Sequence, residues 1–319
     1  MRSGAAAGHS GYFHQTAFYG TDDEFLALVI PFVREGLDAG DPVVVAFAPA
    51  NQTLVQRALP RDARVTFIDG AVQYARPATA IREYSHIVAS HVAAGATQVR
   101  ITGDVPHPGL GVPWDWWARY EAAVNVAFAG FPMWGLCPYD TRITSGDVLD
   151  HVRRTHPFIA TTEGGAVNPG YEPAQPQLPQ WAWSDPIEST PPALILVDPL
   201  PSTARVAIAT AGRVSGLSDA DISGLMLAVT EALSNGILHG RAPTRLRLWT
   251  GPDRVVATVT DQGDGPKDPL IGLVPLAPAS AGVGGQGLWL AHQMCSYMTL
   301  QRDAMGFTVR MIAGTVAAA

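Results

Sequence analysis

Glu231, Asn235 and His239 recur at i, i+4 and i+8 in the run Glu231-Ala-Leu-Ser-Asn235-Gly-Ile-Leu-His239. That spacing lines all three along one face of a helix. A carboxylate and an amide on one face can activate a hydroxyl and hold a hydrated Mg²⁺, an ion that takes oxygen ligands and keeps waters. A plain solvated helix face reads the same way from this segment alone. Ile222, Met226, Val229 and Leu233 form a separate apolar stripe, the kind a helix turns to a core.

Two glycine-rich segments follow. Asp261-Gln-Gly263-Asp-Gly265 ends a strand-like run. A strand end there can deliver Asp261 into a pocket, and the glycines let backbone approach a ligand closely; an ordinary turn is the alternative. Gly282-Val-Gly284-Gly285-Gln-Gly287-Leu288 opens a helical pattern. Free N–H groups at such a helix start make an anion site. His239 reads first as a helix-end histidine making a structural hydrogen bond, with a proton relay as the alternative. Cys295 reads as a packing residue.

In this order and spacing the three segments resemble the N, G1 and G2 boxes of the GHKL (Bergerat-fold) ATPases. They look most like the anti-sigma-factor serine/threonine kinase branch, over roughly residues 193–314. Gly216-Leu217-Ser218-Asp219 and the ending Gly285-Gln-Gly287-Leu-Trp-Leu-Ala-His-Gln-Met-Cys fit that branch's short form. The resemblance implies ATP and Mg²⁺ as cofactors, with Asn235 as metal ligand and Glu231 as general base. It implies that Asp261 bonds the adenine amino group, and that Gly263, Gly265, Gly285, Gly287 and Leu288 shape the nucleotide walls. Residues 264–284 would form a mobile lid. Gln286 stands where the branch often has arginine, and Lys267 is the only Lys or Arg between Arg254 and Arg302. Phosphoryl transfer needs developing charge cancelled, so Lys267 is the one basic side chain within these boxes that could reach phosphates. A solvated lid position is its alternative.

The elements that must position these residues read as helices over Ser202–Val214, Ser218–Leu238 and Gly287–Cys295. Strands read over Thr244–Thr250, Val255–Asp261, Tyr297–Gln301 and Gly306–Ile312. Helices gathered beside an antiparallel or mixed sheet make an α/β sandwich. Upstream, the apolar runs Val43–Ala48, Val65–Ile68, Val99–Thr102 and Met133–Leu136 read as buried strands. They alternate with helical spacing over Asp22–Asp38, Pro77–Ala93 and Pro113–Ala127, which implies a mostly parallel sheet covered on both faces. Seven prolines between Glu163 and Pro192 favour extended backbone. The expected organisation is therefore a sensory domain over 9–162, a linker over 163–192 with Trp181 and Trp183 docked, and an ATP-binding domain over 193–314. No helix pair with a phospho-accepting histidine fits in that linker, which disfavours a conventional sensor histidine kinase.

Asp69, Asp104 and Asp140 follow three of the N-terminal strands. Ligands sit beyond the carboxyl ends of strands in open α/β sheets, so these acids could line a pocket; helix caps and turns are the alternative. Trp114, Trp116 and Trp117 read as alternately buried residues or as an aromatic ligand wall. The run at His14 (His-Gln-Thr-Ala-Phe-Tyr), Leu-Cys137-Pro-Tyr139-Asp140 and Arg-Thr-His156-Pro157 resemble the MEDS sensory domain, over about residues 9–160. That implies a RecA-like α/β/α sandwich sensing a small ligand or a partner, ahead of the Bergerat-fold α/β sandwich. The phosphate loop of RecA-like ATPases is absent.

Composition excludes several classes. The 319 residues carry 15% charged residues and a net charge of −7, and no basic run to hold nucleic acid. No apolar stretch reaches the length of a membrane span, and no signal peptide is visible. Two distant cysteines argue for a reducing cytoplasm. The reading is a cytoplasmic two-domain regulator that binds Mg·ATP and phosphorylates Ser/Thr of an anti-sigma antagonist while binding a sigma factor. An unidentified small ligand would act on the N-terminal domain, and homodimerisation is a family expectation. The alternatives are a nucleotide-gated binding module without transfer and a histidine-kinase-like component.

Overall fold

Seven strands order as β3-β2-β4-β5-β1-β6-β7 in the first sheet of the computed structural model, which describes residues 3–173, 183–268, 270–274, 286–304 and 306–317. The chain divides into two units, Met1–Ala75 with Thr79–Gln175 and Arg76–Ala78 with Pro176–Ala319. In the first unit, β1 (Phe13–Tyr19) lies between β5 (Met133–Asp140) and β6 (Phe158–Thr161), parallel to both. The strands β2 (Val43–Ala46), β3 (Val65–Phe67) and β4 (Val99–Gly103) continue the parallel sheet, and β7 (Gly164–Val167) closes it antiparallel to β6.

Sequence periodicity did not announce β1. Its residues are nearly all buried, the polar ones included, because a central strand of a parallel sheet has no solvent face to alternate with. Those polar groups are satisfied internally: Thr16 Oγ1 donates to the Cys137 carbonyl at 2.9 Å, and Trp134 Nε1 donates to Gln15 Oε1 at 3.0 Å. Helix α1 (Asp22–Asp38) spans the expected residues. Thr21 caps it by accepting from the Glu24 N–H, and Phe25, Leu28, Val29, Phe32 and Val33 fill its buried face. Helices α2 (Pro49–Ala58), α3 (Gly70–Gln73) and α6 (Gly146–Thr155) join the expected α4 (Pro77–Ala93) and α5 (Trp114–Ala127).

The second unit is a five-stranded antiparallel sheet in the order β11-β12-β10-β9-β8. The strands are β8 (Leu194–Val197), β9 (Arg245–Gly251), β10 (Arg254–Asp261), β11 (Tyr297–Asp303) and β12 (Gly306–Gly314). Helices α7 (Pro201–Val214), α8 (Asp219–His239) and α9 (Gln286–Met294) pack with it around a core that includes Ile208, Leu225, Val229, Leu233, Leu248, Val259, Leu288 and Met311. This is the Bergerat-like α/β sandwich. Ser218 caps α8 by accepting from the Asp221 N–H, so its register, and with it the Glu231–Asn235 spacing, starts from a fixed point.

The proline-rich segment is more structured than a free linker. Residues 164–167 form β7, and the Glu172 N–H donates to the Arg154 carbonyl. Further on, Pro186–Ser189 form a short 3₁₀ helix with a capping box between Asp185 and Glu188. Arg310 grips Glu188 through two bonds of 2.6 and 3.0 Å, Arg254 reaches Asp185 at 3.1 Å, and Trp249 Nε1 donates to the Thr190 carbonyl. Trp183 packs edge-on against Tyr297, while Trp181 lies outside the described residues.

Candidate functional site

Asp261 ends β10 and is 6% exposed. Its Oδ1 accepts from the N–H of Gly263 at 2.6 Å and of Arg241 at 3.2 Å, and among the described residues Oδ2 accepts no hydrogen bond. Three glycines close around this carboxylate. A Cβ on Gly240 would stand 2.5 Å from Asp261 Cγ, one on Gly263 would stand 2.6 Å from Oδ1, and one on Gly236 would stand 3.6 Å from Oδ2. A buried carboxylate with one unused oxygen in a cradle of backbone can accept from an exocyclic amine of a planar base.

Glu231 and Asn235 lie one turn apart on α8, both half-buried. The first turn of α9 lies against them, since a Cβ on Gly287 would run into the Glu231 carboxylate. Gly287 is therefore where the chain needs no side chain. Gly265 has φ +70° and backs onto the Phe307 ring. Leu288 is buried in the core. Gly285, with Gly282 and Gly284, lies outside the described residues. The donor set fits a purine nucleotide with Mg²⁺: the buried carboxylate and its glycine cradle suit the base, Asn235 supplies an oxygen ligand of the kind Mg²⁺ takes, and Glu231 beside it supplies a carboxylate base.

Other expected residues fall differently. Lys267 is exposed. His239 is exposed at the α8 terminus and makes no side-chain hydrogen bond to the described residues, so the expected structural bond is absent among them. Of the residues expected within a mobile lid, Leu270 and Leu273 are buried, Gly272 at φ +83° sits against His292 and Leu288, and 269 and 275–284 lie outside the described residues. Cys295 is fully buried, and burial pushes its thiol up to about 12, in keeping with packing. Sequence order made the site look short of cations, yet the structure brings Arg241 and Arg302 to Asp264, at 3.3 and 2.6 Å.

In the first unit the three strand-end acids are each used locally. Asp69 caps α3 through the N–H groups of Ala71 and Val72. Asp104 accepts from the Ala48 N–H and Asn51 Nδ2, and burial raises its carboxyl to about 6. Burial also pushes Asp140 up, but hydrogen bonds from Arg142 outweigh it and hold the carboxyl below its ordinary value. Trp114, Trp116 and Trp117 are all buried, without alternation, and Trp117 packs on Tyr74 and Tyr120. The motif residues His14, Cys137, Tyr139 and His156 meet at one place, joined by Glu121 and Asn125 of α5. Sequence reading missed those two, although an acid and an amide at i, i+4 in a mostly apolar and aromatic helix are a visible signal.

The fold and site define a two-domain protein with a parallel-sheet sensor-like unit and a histidine kinase-like ATPase unit. Family models bear this out. Residues 13–157 match MEDS, the MEthanogen/methylotroph, DcmR Sensory domain, and residues 198–313 match the histidine kinase-like ATPase domain. The chain thus carries a MEDS domain followed by a histidine kinase-like ATPase domain. Among solved structures, the RsbU and RsbW domains of a Mycobacterium tuberculosis protein are similar at 21% identity and a TM-score of 0.28. That match covers 41% of this chain and 33% of the other, so the chain spans about a third of that neighbour's length. A search of curated proteins finds no match. No helix among the described residues is long and apolar enough to cross a membrane.

Proposed function

We propose that the second unit binds Mg·ATP and transfers phosphate to a serine or threonine of an anti-sigma antagonist, binding a sigma factor in a nucleotide-dependent way. The carrying observation is Asp261, a buried carboxylate with a free oxygen inside the Gly236–Gly240–Gly263 cradle. In this reading Asp261 accepts from the adenine amine, Asn235 ligates Mg²⁺, and Gly263, Gly265, Gly285, Gly287 and Leu288 shape the walls. Bound Mg·ATP supplies the transferable phosphoryl group, with the metal neutralising its charge. Glu231 takes the proton of the attacking hydroxyl. The MEDS unit adjusts this output in response to its own ligand, in the cytoplasm.

A second reading, a nucleotide-gated binding module, is favoured by one arrangement. Arg241 and Arg302 are both ion-paired with Asp264, and Gln286 opens α9 where an arginine could serve transfer. Calorimetric titration with ATP, with and without Mg²⁺, tests binding; labelled ATP with a candidate antagonist tests transfer. Asp261→Asn removes a charge-assisted bond of ~1.5–3 kcal/mol, so ATP binding weakens about 10–100-fold. Asn235→Ala loses the Mg²⁺ dependence. Glu231→Gln binds ATP as the wild type does and transfers nothing. Wild-type protein that binds no nucleotide sinks both readings, and binding without transfer selects the second.

A further inference from the structure

Four ligating atoms from distant parts of the chain converge inside the first unit. His14 Nε2 of β1, Glu121 Oε2 of α5, Cys137 Sγ of β5 and His156 Nε2 after α6 all lie within 4.8 Å of one another. Glu121 Oε2 stands 3.6 Å from His14 Nε2 and 3.5 Å from His156 Nε2, and Cys137 Sγ stands 3.7 Å from His14 Nε2. We propose that this cluster is a metal site that binds one divalent ion of zinc's class through two imidazoles, a carboxylate and a thiolate.

The distances suit such an ion. Tetrahedral zinc with bonds of ~2.0–2.1 Å to nitrogen and oxygen and ~2.3 Å to sulfur separates its ligand atoms by about 3.3–3.6 Å. The separations of 3.5, 3.6 and 3.7 Å lie at or just above that range, and the remaining ones extend to at most 4.8 Å, so side-chain shifts of about an ångström close the shell.

The outer hydrogen bonds set the imidazoles in the state a metal needs. His156 Nδ1 donates to the Val152 carbonyl at 2.8 Å, which leaves the Nε2 lone pair facing inward. His14 Nδ1 lies 3.0 Å from Asn125 Oδ1. Asn125 Nδ2 donates to the carbonyls of Glu121 and Thr155, so Oδ1 is the atom it turns to His14, and His14 too presents an unprotonated Nε2. Tyr139 donates to Glu121 Oε1 at 2.5 Å, fixing the carboxylate with Oε2 toward the centre. Metal-bound histidines and carboxylates are held in this way by partners outside the shell.

Cys137 Sγ and His14 Nε2 are within hydrogen-bond reach of each other at 3.7 Å, but the other two inner atoms are unused. Glu121 Oε2 and His156 Nε2 are buried without a hydrogen-bond partner, on side chains that are both 0% exposed. Burying a polar group unpaired is costly; an ion at the centre pairs both atoms at once. Thiolate and imidazole donors select zinc and its transition-metal neighbours over Mg²⁺ or Ca²⁺. Four protein ligands leave no open position, so the site is structural or metal-sensing, and not hydrolytic.

The Cys137–His14–Asn125 line also has the layout of a nucleophilic cysteine with its base and orienting amide. That reading leaves Glu121 Oε2 and His156 Nε2 without a purpose, and His14 is 1% exposed, closed to a substrate. The metal reading uses every inward-facing atom.

The test uses the full chain, stripped by chelator and titrated with Zn²⁺ alone and with Co²⁺ alone. The expected result is one tightly bound metal per chain. The Co²⁺ form should show tetrahedral visible bands and a thiolate-to-cobalt charge-transfer band that Cys137→Ser abolishes. Asn125→Ala, which removes the outer bond to His14 and the bonds to the Glu121 and Thr155 carbonyls but no ligand atom, is expected to lower Zn²⁺ affinity about 10–100-fold with the fold kept by circular dichroism. Wild-type protein that binds no stoichiometric metal overturns the proposal, as does a cobalt spectrum that Cys137→Ser leaves unchanged. Rapid alkylation of Cys137 in the zinc-loaded protein overturns it in favour of the nucleophile.

Discussion

Asp104 sits among neutral donors in the first unit, and burial raises its carboxyl from 3.8 to about 6. Between those values the folded state holds a proton that the unfolded chain has released. Stability therefore falls as pH rises through that window and levels off above about 6, a loss of about 3 kcal/mol. Asp104→Asn keeps an acceptor for the Ala48 N–H and Asn51 and removes the titration. Urea midpoints of wild type and variant are expected to diverge from pH 4 to 6, with the variant the more stable at pH 7. A wild-type midpoint that is flat over that window would contradict the assignment. At the same scale, Asp261 was legible from its place before two glycines. Its unused oxygen and the steric role of Gly287 against Glu231 were not, because both depend on which chain segments meet.

At the scale of elements, the short helix over 186–189 shows how a proline-rich stretch is tied down. Glu188 caps that helix and takes two bonds from Arg310, both groups largely buried. Glu188→Ala leaves the Arg310 guanidinium buried without its partner, at a cost of about 3 kcal/mol. The expected outcome is a lower urea midpoint for the second unit's transition; an unchanged midpoint would show that the segment contributes no stability. The helices α1, α4, α7 and α8 could be placed from apolar spacing and capping residues because those signals are local. Strands β1, β6, β7 and β8 could not. β1 is buried on both faces and so lacks alternation, and β7, the second arm of a local hairpin with β6, carries two glycines and is exposed throughout, so it has no apolar alternation either.

Across the whole molecule, each unit has its own hydrophobic core, one around Phe25, Phe32, Val45 and Leu136, the other around Leu225, Val229 and Met311. Calorimetry of the full chain is expected to resolve two melting transitions. Mg·ATP at about a hundred times its dissociation constant adds ~2.7 kcal/mol and raises the second unit's transition by roughly 5–10 °C. The other transition should respond to Zn²⁺ and ignore ATP; nucleotide shifting only the unit that zinc shifts would reverse the assignment of ligands. The sequence by itself determined the two fold classes and the order of the nucleotide boxes, since the helical spacing of Glu231 and Asn235 and the glycines around Asp261 are written over a few consecutive turns. Only the tertiary structure decided which carboxylates are free and which are spent, and that Arg241 and Arg302 reach Asp264. It alone joined His14 to Cys137, 123 residues away in the chain, because the sheet order sets β1 beside β5. Pairing of that kind depends on the packing of the whole unit, and no local pattern encodes it.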